Sequence, residues 1–139
     1  MPVEFTYDYS VIRIVPRVER GEQINVGVIL SCVDVEFLEA RIEFDTARAL
    51  ALDAALDVET IRAGLAGIAT VCAGGPAAGP IGALSPRERF RWLVAPRSTV
   101  IQMSPVHTGR TSDPAATLGQ LLDTMVRQKT VNGTSEETR

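Results

Sequence analysis

The sequence predicts an α+β domain of two layers, in which a mainly antiparallel four-stranded sheet (a meander plus one later strand) packs with about four helices. Three observations carry this. Residues 7–44 read as three strands with short links, helical periodicity fills 46–72, and a lone strand at 98–103 precedes a last helix. A run of strands followed by helices belongs to this class, whereas a parallel sheet would need the two in alternation.

The first strand, "YDYSVIRIV" (7–15), alternates Tyr7, Tyr9, Val11, Arg13 and Val15 with Asp8, Ser10, Ile12 and Ile14, the two-residue period of a pleated chain. A charged loop, "PRVERGEQ" (16–23), leads to "INVGVILSCV" (24–33), which is apolar on both faces and therefore central. "FLEARIEF" (37–44) turns Leu38, Ala40, Ile42 and Phe44 inward and Glu39, Arg41 and Glu43 outward.

Asp45 is the expected N-cap of a helix over 46–55, and Asp57 that of a second helix over 58–72. The second spaces Val58, Ile61, Leu65, Ile68 and Cys72 at three- and four-residue steps and ends at Gly74. A Gly/Pro spacer (74–84) precedes "SPRERFRWLV" (85–94), where Ser85, Pro86 and Glu88 have the pattern of a capping box with proline at the first helical position. Pro96 stops that helix. Pro105 then interrupts the strand at 98–103, so "SPVHTGRTSD" is expected as an exposed loop. Asp113-Pro114 opens the last helix, with Leu118, Leu121, Leu122, Met125 and Val126 on one stripe. One domain is expected over 1–127, and a disordered tail over 128–139.

The chain of 139 residues is 45% hydrophobic and 5% aromatic, enough to bury a core without a staple. No apolar run approaches the roughly 18 residues of a membrane span, and "MPVEFTYDYS" has no basic segment followed by an apolar one. A cytoplasmic protein without membrane contact is expected. Cys32 and Cys72 have no metal or redox spacing and read as small buried residues.

Net charge is −3 and the sole lysine is Lys129, which argues against general nucleic-acid binding. The charge is segregated, however. Acids crowd residues 34–59, whereas Arg87, Arg89, Arg91, Arg97 and Arg110 face only Glu88 over 85–112. A local basic region on an acidic protein suits a small anion or an acidic partner, and a solvated helix face accounts for the same pattern.

Five residues are candidate binding groups: Arg13, Asn25, Arg97, His107 and Arg110. Arg13 stands on a strand face between valines and needs a partner or solvent. The first hairpin brings Asn25 and Gly27 near it, and a glycine inside an apolar strand marks close approach of a backbone or a ligand. His107 lies between Arg97 and Arg110, beside the free N–H groups of the last helix, where an anion would be favoured. The alternative is a structural histidine bonded to its own loop. His107 lacks partners at metal spacing, and no nucleophile elbow or phosphate loop occurs. No metal or cofactor is therefore expected. Trp92 reads as a core or half-buried anchor or, if exposed, as a partner contact.

Two segments, "YDYSVIRIVPRVERGEQINVGVIL" and "RFRWLVAPRSTVIQMSPVHTGRTSDP", resemble the bacterial family called domain of unknown function 3037, over roughly residues 5–127. Arg13, Pro16, Asn25, Gly27, Arg97, Ser98, Thr99, His107 and Gly109 are the family-like positions. The resemblance implies a small stand-alone cytoplasmic protein, sometimes encoded beside a HipA-like kinase, which hints at a protein partner. It supplies no activity.

The reading that results is a binding or regulatory module for a protein partner or a small anion. The alternative is an enzyme acting on a phosphate-containing or nucleic-acid substrate through Arg13, Arg97 and His107. The first is favoured because no carboxylate pair or Cys–His pair stands beside His107.

Overall fold

The structure is a computed structural model that describes residues 3–97 and 99–127. Ser98 and the expected tail at 128–139 lie outside the described residues. Five strands form one sheet: β1 (Phe5–Ile14), β2 (Ile24–Cys32), β3 (Phe37–Ile42), β4 (Ile101–Met103) and β5 (His107–Thr111). Every pairing is antiparallel, in the order β3-β2-β1-β4, with β5 also on β1. The helices are α1 (Thr46–Leu52), α2 (Val58–Ala73), α3 (Pro86–Val94) and α4 (Pro114–Met125). The expected α+β class and meander therefore hold, and β2 is central as its two apolar faces require.

One expectation is corrected. "SPVHTGRTSD" is not a loop, because His107–Thr111 continues the line of β4 along β1 as a fifth strand. Pro105 breaks the ladder only locally. Ser104 bridges the gap: its N–H donates to the Val11 carbonyl at 2.9 Å, and its Oγ accepts from the Val11 N–H at 2.8 Å. Fully buried Ser10 donates its hydroxyl to the Ser104 carbonyl at 2.8 Å. The ladder is interrupted at Pro105 without orphaning Val11, because the Ser104 hydroxyl accepts from the Val11 N–H in place of a strand carbonyl.

The helix ends follow their residues. Asp45, Asp57 and Asp113 accept from the N–H groups of Arg48, Thr60 and Ala116. Ser85 and Glu88 close a reciprocal capping box, with Ser85 Oγ accepting from Glu88 N at 3.2 Å and Glu88 accepting from Ser85 N at 3.1 Å. The Gly/Pro spacer winds as a 3₁₀ segment over Pro76–Ala83, kinked at Gly79. A second short 3₁₀ turn, Val33–Val35, joins β2 to β3.

The sheet buries both faces. On one, Ile12, Ile14, Val26 and Ile29 pack with Ile61, Leu65 and Ile68 of α2 and with Phe90 and Leu93 of α3. On the other, Val28, Leu30 and Cys32 pack with Leu118, Leu122 and Val126 from α4 and its end. A bulge skips Val26 between the pairs Ile12–Gly27 and Arg13–Asn25, which adds local twist to the strand pair. Gly27 is explained by backbone approach: a Cβ there would lie 2.8 Å from the Arg41 carbonyl and 3.1 Å from Ile12 Cδ1.

Candidate functional site

Alternation along the strands decides where the five candidate residues go. Tyr9 pairs with His107 and Tyr7 with Gly109, whereas Thr6 pairs with Arg110 and Asp8 with Thr108. His107 therefore lies on the α4 face and Arg110 on the α3 face, although the two are near in sequence. Arg110 is exposed and meets Glu4 at 3.5 Å.

Arg13, Asn25 and His107 share the α4 face. Arg13 pairs across the sheet with Asn25 of β2 and Gln102 of β4. Asn25 is engaged, because its Nδ2 donates to the Met125 carbonyl at 2.9 Å and ties the end of α4 to the sheet. His107 is exposed and leans on Tyr9, with ring centroids 5.3 Å apart. Tyr7 continues the row 6.2 Å from Tyr9 and lies over Gly109, where a Cβ would come 2.6 Å from its hydroxyl oxygen. Burial, and then Tyr9, push the Tyr7 phenol above its ordinary range.

Arg97 lies just past the end of α3 and lines a groove together with Gln102, the β4 partner of Arg13. Its Nη1 donates to the Leu93 carbonyl and its Nη2 to the Trp92 carbonyl, both at 2.9 Å. It thereby satisfies two of the acceptors that a helix C-terminus leaves without partners. The guanidinium also stacks on the Trp92 ring, 4.7 Å from its centroid, a cation–π contact of about 0.5–1 kcal/mol at an exposed site. Trp92 is 43% exposed, so its ring is neither fully in the core nor free of the protein.

Beside this pair opens a groove of about 290 Å³ between α2, the end of α3 and β4. Gly64, Gly67, Ile68 and Val71 of α2 form one wall; Leu93, Ala95, Ile101 and Met103 complete the apolar lining, and Trp92, Arg97, Thr99 and Gln102 supply the rest. Its two glycines act differently. At Gly64 a Cβ would fall 2.6 Å from Ile101 Cδ1, so the glycine lets β4 approach α2. At Gly67 a Cβ would meet nothing within 4 Å. Packing does not require Gly67, yet an interior helix glycine costs about 1 kcal/mol against alanine. Its effect is an open wall. Sequence reasoning missed both, although glycines three residues apart and off the apolar stripe of α2 were the available signal.

Other polar residues hold the scaffold. Arg87 meets Asp8 at 2.8 Å and Ser31 Oγ at 3.3 Å, pinning α3 to the sheet. Buried Arg89 donates to the Leu84 and Cys72 carbonyls, joining the 3₁₀ segment to the end of α2. Burial pushes the Cys72 thiol up to about 12 and raises that of Cys32 as well, so neither resembles an activated nucleophile. Among the described residues, no three His, Cys, Asp or Glu side chains gather as a metal site. No single described helix is long and apolar enough to cross a membrane.

Compared with known proteins, residues 9–126 match the family model described as protein of unknown function (DUF3037). No curated protein and no solved structure matches the chain.

Proposed function

We propose, for a chain that belongs to the DUF3037 family, a binding module that takes a small ligand with an apolar body and one anionic group. The body would sit in the groove and the anion at Arg97. The observation that carries this reading is the Arg97–Trp92 pair at a mainly apolar groove with an open glycine wall, whose other polar lining residues, Thr99 and Gln102, are uncharged. Pockets for small ligands are mostly apolar with a few placed polar groups, and about 290 Å³ lies at the low end of their range.

Arg97 uses one N–H on each terminal nitrogen for the helix carbonyls. A guanidinium carries five N–H donors, so donors remain for a carboxylate while the helix fixes the fork. The groove lining contains no carboxylate, imidazole or thiol, which supports binding over acid–base or nucleophilic catalysis.

Trp92 is the sole tryptophan, so its fluorescence reports on the groove directly. Titration with octanoate should shift or quench that emission saturably, and octanol should bind more weakly. Arg97→Met should remove the difference between the two. Absence of any saturable response to octanoate contradicts the proposal.

A further inference from the structure

We infer that the α4 face of the sheet carries a second site, formed by Tyr9, His107 and Arg13, that binds a nucleoside monophosphate with its base on the two rings and its phosphate at the arginine. This site is independent of the groove and rests on different observations.

The first is the state of Arg13. Among the described residues its buried Nε has no hydrogen-bond partner, and no ion pair includes it. The side chain is half-buried and its cross-strand neighbours, Asn25 and Gln102, are neutral amides. A partly desolvated cation without a counter-charge is costly, and an anion would offset that cost. Other arginines of this chain show the contrast: Arg87 has Asp8, Arg110 has Glu4, and Arg127 has Glu43 and Asp123.

The second is the aromatic row beside it. α4 lies over β2 and β3, so the rings on β1 and β5 border the covered area. His107 is exposed against half-buried Tyr9. Such rings offer a flat surface on which any base can stack, a contact that needs no particular hydrogen-bond pattern. Tyr9, Val11 and Arg13 succeed one another on this face of β1, which sets Tyr9 and Arg13 about 13 Å apart along the strand. A ribose and an arginine side chain together span that separation.

The third is charge. A net charge of −3 disfavours a long polyanion, which needs many cations along its backbone. One arginine beside one pair of rings matches a single nucleotide.

The test is titration of the full chain with AMP, UMP, adenosine and inorganic phosphate, followed by amide chemical shifts and calorimetry. AMP and UMP should bind more tightly than adenosine or phosphate, with shifts centred on β1 and β5. Arg13→Gln should weaken AMP roughly tenfold or more, as for loss of one charge-assisted contact, and leave adenosine unchanged. His107→Ala should weaken AMP and adenosine alike. Thermal unfolding of Arg13→Gln supplies a readout that needs no ligand: its Tm should equal or exceed that of the wild type, because an unpaired cation has been removed. The inference is overturned by failure of both nucleotides to bind saturably. Phosphate binding as tightly as AMP, unchanged AMP affinity in Arg13→Gln, or a large fall in that variant's Tm would each overturn it as well.

Discussion

The two faces of the sheet use one arginine each in opposite ways. On the first, α2 and α3 cover the strands, and Arg97 spends donors on the last carbonyls of α3 while stacking on Trp92. On the second, α4 lies over β2 and β3, and Arg13 is half-buried with an Nε that has no partner among the described residues. In the sequence Arg13 reads as a strand cation between valines and Arg97 as part of a basic region, and neither pattern says which of them finds its acceptors within the chain. The difference teaches that an arginine's position relative to a helix end decides whether the chain itself supplies its acceptors.

The contrast between the faces can be tested by its energetics. Phe90, 1% exposed, anchors α3 in the larger cluster, and Leu118, fully buried, anchors α4 in the smaller. Phe90→Ala is expected to cost about 4 kcal/mol and Leu118→Ala about 3 kcal/mol in urea unfolding. The opposite ranking would make the α4 face the main core.

At the seam between β4 and β5, Ser10→Ala should cost about 1–3 kcal/mol, because it removes the buried donor to the Ser104 carbonyl. Retained stability would mean that the strand break needs no side-chain repair. Cys72 belongs to the first face, and its thiol is pushed from an ordinary value near 9 to about 12 by burial. The neutral form is favoured in the folded state, so stability is fully present below the lower value and falls as pH climbs between the two. The loss by pH 10 is about 1 kcal/mol. Cys72→Ala should flatten the dependence of the urea midpoint on pH above 9. Smallest of all, His107→Ala on the second face should change stability by less than about 1 kcal/mol, since the ring is exposed.

Much of this fold was legible because its signals are local. Asp45, Asp57, Ser85, Glu88 and Asp113 all cap where their types and spacing indicated. The doubly apolar run 24–33 marked a central strand, and β2 is one. β5 was hidden because Pro105 and Gly109 both oppose a strand locally, while the features that permit it lie far off in sequence. These are the Ser104 bridge to Val11 and the Tyr7 ring over Gly109. Read as a loop, the same stretch groups His107 with Arg110, since only a strand sends them to opposite faces. The residues of the groove were illegible for a different reason. A glycine that packing does not require looks the same in sequence as one that it does, and only the position of Ile101 separates Gly67 from Gly64.

That separation yields the most direct test of the central claim, that the groove over α2 is a ligand site. Gly67→Leu places a side chain into space where a Cβ meets nothing within 4 Å and replaces a poor helix former with a good one. Trp92 emission is measured during octanoate titration of the wild type and of Gly67→Leu, together with the Tm of each. The account predicts a saturable response in the wild type, its loss in the variant, and a variant Tm equal or higher. An undiminished response in a folded Gly67→Leu protein would contradict it.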